Sequence, residues 1–78
     1  MPVHYKKNLA TFDDVVSVEE AENLLQWCQK NSSAKVDFSS CIHLHAANLQ
    51  VLMAARVTVT AWPQDHPLAT WLHAALDA

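Results

Sequence analysis

The sequence predicts one α/β domain over 1–78, a small single-layer sheet of three or four strands accompanied by three helices. Apolar spacing alternates between period 2 and a helical period, in the order β, α, β, α, β, α. Alternation of this kind calls for parallel strands joined by right-handed crossovers, with helices covering the sheet. The connections between segments are short, as is usual in α/β units.

The elements follow in order. His4 to Phe12 mix polar and aromatic residues around Lys6-Lys7-Asn8, and fit either one edge strand or a small hairpin turning near Asn8. Ser17 and Glu20 form an S-x-x-E capping box, in which hydroxyl and carboxylate satisfy each other's helix-terminal N–H groups. Glu19, Glu20 and Glu22 crowd the first turn, where the macrodipole favours negative charge. Val18, Ala21, Leu24, Leu25 and Cys28 make one apolar stripe, and Asn31-Ser32-Ser33 ends this helix.

Val36 and Phe38 alternate with Asp37 and Ser39, a short strand. His43-Leu44-His45 is the turn, and from Ala46 the apolar residues Ala46, Leu49, Leu52 and Met53 lie on one helical side. Val57 to Trp62 is β-branched and reads as a strand that Pro63 ends. Asp65-His66-Pro67 opens the last helix, with Leu68, Trp71, Leu72, Ala75 and Leu76 as its stripe. Trp71 is expected in the core, whereas Trp27 and Trp62 are candidates for partial exposure and an interface anchor.

Composition narrows function. A chain of 78 residues buries only roughly 60–65% of its unfolded surface, which leaves little room for a deep substrate cavity beside a core. No enzyme activity is expected. The net charge of −3 and five dispersed Lys and Arg leave no electrostatic footprint for nucleic acid. The longest apolar run, Val51 to Ala55, is far too short to cross a bilayer, and the opening Met-Pro-Val-His-Tyr has no signal-peptide h-region. A cytoplasmic protein without membrane insertion is the expectation, with Cys28 and Cys41 as free, buried thiols. Glycine is absent, so Gly-rich phosphate loops are excluded, and Asn8, Asn31 and Asn48 are candidates for positive φ.

Two constellations of reactive residue types meet at the turn. His43 and His45 are spaced so that both imidazoles reach one side of an extended segment, the beginning of a metal site that lacks an evident third ligand. Ser39, Ser40 and Cys41 lie near these histidines, but no nucleophile-elbow glycines accompany them, and structural serines are the expectation. Neither a catalytic residue nor a cofactor or resident metal is assigned.

The stretch Val36-Asp37-Phe38, Cys41 to Leu44 and Leu49-Gln50-Val51-Leu52-Met53 resembles the STAS domain, named for sulfate transporters and anti-sigma factor antagonists. The likeness extends in element order over roughly residues 17 to 76. It implies a minimal STAS-like fold, with a small mixed or parallel sheet and helices packed mainly on one side. Members carry an Asp-Ser-Ser/Thr-Gly turn; here His45 stands for the Asp, Ala46 and Ala47 for the phosphoacceptor pair, and Asn48 for the Gly. Neither alanine can accept phosphate. The resemblance therefore implies a bacterial, cytoplasmic signalling or regulatory domain whose usual switch is missing.

A protein partner would dock on His43, His45, Ala46, Ala47, Asn48 and Gln50. Within the family such partners are anti-sigma kinases, chemotaxis or other signalling proteins, and transporter ATPase components. The alternative is a small-ligand or metal-binding domain using His43 and His45, since STAS-like domains can hold nucleotide or lipid-like molecules. A homodimer is also compatible with the 51% apolar composition.

Overall fold

The N-terminal segment is a hairpin, the second of the two arrangements its residues allow. The computed structural model describes residues 2–31 and 33–76, so Ser32 of the helix-ending trio lies outside the described residues. β1 (Val3–Tyr5) turns through Lys6–Asn8 into β2 (Leu9–Val16), and the two pair antiparallel with Val3 opposite Phe12. The Lys6 amide donates to the Leu9 carbonyl at 2.7 Å and closes the turn. Then follow α1 (Ala21–Lys30), β3 (Lys35–Leu44), α2 (Ala46–Ala55), β4 (Thr58–Ala61) and α3 (His66–Leu76).

The sheet order is β1-β2-β3-β4, with β3 parallel to both β2 and β4. This is a four-stranded, mixed, open sheet with three helices. Both crossovers step in the same direction, and right-handed connections then place α1 and α2 on the same face. That face carries Ala10, Phe12 and Val16 from β2 and Val36, Phe38, Cys41 and Leu44 from β3, all buried. Leu24, Leu49, Leu52, Leu68 and Leu72 close over them from the helices. The opposite face carries Thr11, Asp13, Asp37 and Thr58, none of which is buried.

β3 is longer than the Val36–Phe38 alternation indicates. Between Asp37 and Ser40, and again between Cys41 and His43, it holds one more residue than β2 opposite it. Bulges of this kind keep a strand paired while shifting which residues face inward. The inward positions are thus spaced by two from Val36 to Phe38, then by three to Cys41 and Leu44. Ser39 and Ser40 are strand residues, and the Ser39 amide donates to Asp37 Oδ1 at 2.8 Å. The second bulge leaves Ile42 on the outside, 58% exposed.

The capping box does not form. Ser17 stands before a short 3-10 turn, Val18–Glu20, but its hydroxyl makes no capping bond, and α1 begins only at Ala21. Glu20 is buried and accepts the Tyr5 hydroxyl at 2.6 Å. Leaving a buried polar group unpaired costs about 1–3 kcal/mol, as much as a cap contributes or more, so the tertiary partner wins. Of the α1 stripe, Leu24 and Cys28 are buried while Val18 and Leu25 are exposed. Positive φ falls on Asp14 and Arg56, not on Asn8, Asn31 or Asn48. Asp14 lies where β3 is bulged, and Arg56 closes α2 in the left-handed conformation, its amide donating to the Leu52 and Met53 carbonyls.

Trp71 departs from its expected place in the core, whereas Trp27 and Trp62 are half-buried, in keeping with the partial exposure expected of them. Trp27 packs its ring 5.5 Å from Tyr5 and donates its indole N–H to the Lys6 carbonyl. Trp62 stacks on the His73 ring at 3.6 Å. Trp71 is the exposed one, at 40%. Leu68 and Leu72 fill the centre of the α3 stripe, and Trp71 falls at its margin.

Candidate docking turn and groove

The strand-to-helix turn is built from three local ties. The His45 amide donates to the Val16 carbonyl at 2.9 Å, anchoring the end of β3 beside the end of β2. His45 is then the N-cap of α2, and its Nδ1 accepts the Ala47 amide at 3.0 Å. An accepting Nδ1 fixes the tautomer with the proton on Nε2. Asn48 completes the turn: its Nδ2 donates to the Ser17 carbonyl at 2.8 Å and reaches the Val16 carbonyl at 3.4 Å.

Asn48 is fully buried, at 0% exposure, so it supports the turn from below rather than meeting a docked protein directly. Its Oδ1 is buried without a hydrogen bond. Of the other expected docking residues, His43, His45, Ala46 and Gln50 are exposed and Ala47 is half-buried. His43, His45 and Ala46 come together on one groove; Ala47 and Gln50 are not among its lining residues.

That groove, of about 520 Å³, is completed by Ile42 of β3 and by Asp65, Pro67, Leu68 and Trp71 around the start of α3. Asp65 caps α3, its Oδ2 accepting the Leu68 amide at 3.0 Å, which fixes the helix start beside the turn. The sequence contained a signal for Asp65 and Pro67 as a helix start, but none that brings α3 against residues 42–46. Ile42 and Trp71 were missed as surface residues because one depends on a bulge and the other on packing at a stripe margin.

Chemically the groove offers apolar contact with a few polar groups. Cys41 is in the core, and its thiol donates to the His43 carbonyl at 3.4 Å. Burial pushes this thiol up to about 11, with Asp13 and Asp14 adding and the His43 backbone opposing, so it is protonated and poorly nucleophilic at neutral pH. Among the described residues no group of three or more His, Cys, Asp or Glu converges as metal ligands would. Cys28 and Cys41 are both free. Also among the described residues, no helix is long and apolar enough to cross a membrane.

Two expected outcomes follow from this geometry. His45→Ala removes the α2 cap and lowers stability by about 1 kcal/mol, whereas His45→Asp retains a capping acceptor and matches the helix dipole, raising stability by about 0.3–1 kcal/mol relative to the wild type. Urea unfolding midpoints of the two variants check the opposite signs.

The second concerns alkaline pH. Cys41 and Tyr5 are both raised, Tyr5 by burial first and then by its bond to Glu20. Folded, each holds its proton more tightly than unfolded, so the stabilisation is complete at neutral pH. For Cys41 it is lost between the ordinary value of 9.0 and about 11. Unfolding midpoints should fall over that range, and Cys41→Val should flatten part of the slope.

No family model, curated protein or solved structure matches this chain.

Proposed function

We propose that this chain is a non-enzymatic, STAS-like interaction domain of a bacterial cytoplasm, which docks a protein partner through the turn at residues 43–47 and the groove beside it. The observation that carries the reading is the junction of β3 and α2. There a rigidly tied turn presents exposed His43, His45 and Ala46 at the mouth of an apolar groove. The one-sided mixed sheet supports the resemblance, being what it implies. Ala46 and Ala47 stand at the first helical positions, where the family carries its phosphoacceptors, so docking is constitutive or governed by partner supply. Small side chains there permit close approach of another backbone. The groove's exposed apolar edge, rimmed by polar residues, is the kind of surface that marks association.

A photoreactive residue placed at Ile42 tests this against the same residue at Leu25, an exposed position on α1 away from the groove. Under this reading the Ile42 probe gives a discrete protein adduct in the host cell and the Leu25 probe does not. Absence of the Ile42 adduct, or equal labelling from both positions, contradicts it.

A further inference from the structure

The five Lys and Arg, dispersed in sequence, are gathered by the fold at one end of the sheet. Lys6 and Lys7 lie in the β1–β2 turn, Lys30 in the last turn of α1, Lys35 at the start of β3 and Arg56 just past α2. In a parallel α/β arrangement these are all the same end, opposite the carboxyl ends of β2, β3 and β4. The docking turn and groove lie at those carboxyl ends, and the acidic residues Asp13, Asp14, Glu19 and Asp65 lie there with them.

This end is also where most of the exposed large apolar side chains collect. Val15 is 50% exposed and pairs in register with His43; Ile42 and Trp71 line the groove beside it. Asp14 pairs with Cys41, next to Ile42, and Asp65 lines the groove directly. Asp13 is in contact with His4, whose Nε2 lies 3.0 Å from its Oδ2. An apolar groove with Asp65 in its lining, at an acidic end of the sheet and with every Lys and Arg at the far end, discriminates between partners by charge. A cationic segment gains from the acidic end and is steered to it, while an anionic one is repelled.

We infer that the occupant of this face is a basic protein segment, carrying an apolar anchor for the Ile42–Trp71 groove and Lys or Arg that meet Asp65 in its lining and are drawn to the acidic end formed with Asp14 and Glu19. The inference rests on the docking reading above and names the chemistry of the partner. The basic end of a second copy of this chain is a different occupant, and its binding would appear as self-association.

The test titrates three synthetic peptides into the 15N-labelled full chain at pH 8, above the ordinary imidazole range. They share one Leu-rich anchor and differ only in flanking Lys, Gln or Glu. The Lys peptide is expected to shift Val15, Ile42 and Trp71 and to bind at least tenfold tighter than the Gln peptide. That advantage shrinks several-fold in 0.3 M salt, and in Asp14→Asn/Glu19→Gln, where Asn still tolerates the positive φ at position 14. The Glu peptide binds weakest.

Equal affinities of the Lys and Gln peptides at this face overturn the charge selectivity and leave the docking reading standing. If no peptide perturbs Val15, Ile42 or Trp71, the docking reading falls as well. Concentration-dependent self-association in sedimentation that protects Trp71 assigns the face to a second copy and overturns the basic-partner inference.

Discussion

Phe38→Ala lowers the stability of this protein by about 3–5 kcal/mol, the range for truncating a buried phenylalanine. Phe38 is fully buried on β3, and its ring centroid lies 5.0 Å from that of Phe12 on β2. The pair joins the two central strands across the face that all three helices cover. Deleting one ring removes its transfer free energy and leaves a cavity that a sheet tied on both sides collapses into poorly. A domain of 78 residues has about 4–12 kcal/mol in total, so the loss is a large share of it. The expected melting temperature falls by about 15–30 °C, and calorimetry or thermal denaturation measures it. A shift below 5 °C would mean that the Phe12–Phe38 contact is not the centre of the core.

Trp71→Ala has the opposite profile. Trp71 is 40% exposed at the margin of the α3 stripe, while Leu68 and Leu72 carry the packing. Its truncation costs little stability, within about 1 kcal/mol, as for other partly exposed positions. For a docked partner it is the one large aromatic side chain lining the groove, and such anchors cost about 2 kcal/mol or more when removed. The expected result is a Kd weakened roughly thirtyfold or more with a nearly unchanged melting temperature. A large fall in melting temperature would instead place Trp71 in the core, where its stripe spacing alone would put it.

The contrast between these residues shows what the sequence made legible. Strand and helix alternation depends on local periodicity, so an α/β domain of alternating strands and helices could be read directly, with one edge strand or a hairpin left open at its start; helices mainly on one side were only what the resemblance implied. Features that depend on where one element meets another could not be read this way. Glu20 has the spacing of a capping box, yet a phenol fifteen residues away claims it. Phe38 was legible as a strand residue, but the continuation to Leu44 was hidden because two bulges replace spacing by two with spacing by three.

The same division applies to the candidate site. His43, His45 and Ala46 follow from the turn, and the structure brings them together. Asn48 is polar and beside them in sequence, but the helix turns it inward against the Ser17 carbonyl. Ile42 and Trp71 come from different elements, and only their packing makes one groove. The gathering of Lys6, Lys7, Lys30, Lys35 and Arg56 at the far end likewise arises from topology, since nothing in their spacing along the chain indicates a common surface.

The proposed docking surface is the turn at residues 43–47. Its most direct test is the affinity of Ala46→Trp for the partner captured through Ile42. Ala46 is exposed at the first position of α2, so a bulky neutral side chain there leaves the fold intact while obstructing close approach, whatever the partner's charge. With the melting temperature held within a few degrees, the expected Kd is weakened at least thirtyfold, about 2 kcal/mol. An unchanged Kd in that folded variant would contradict it.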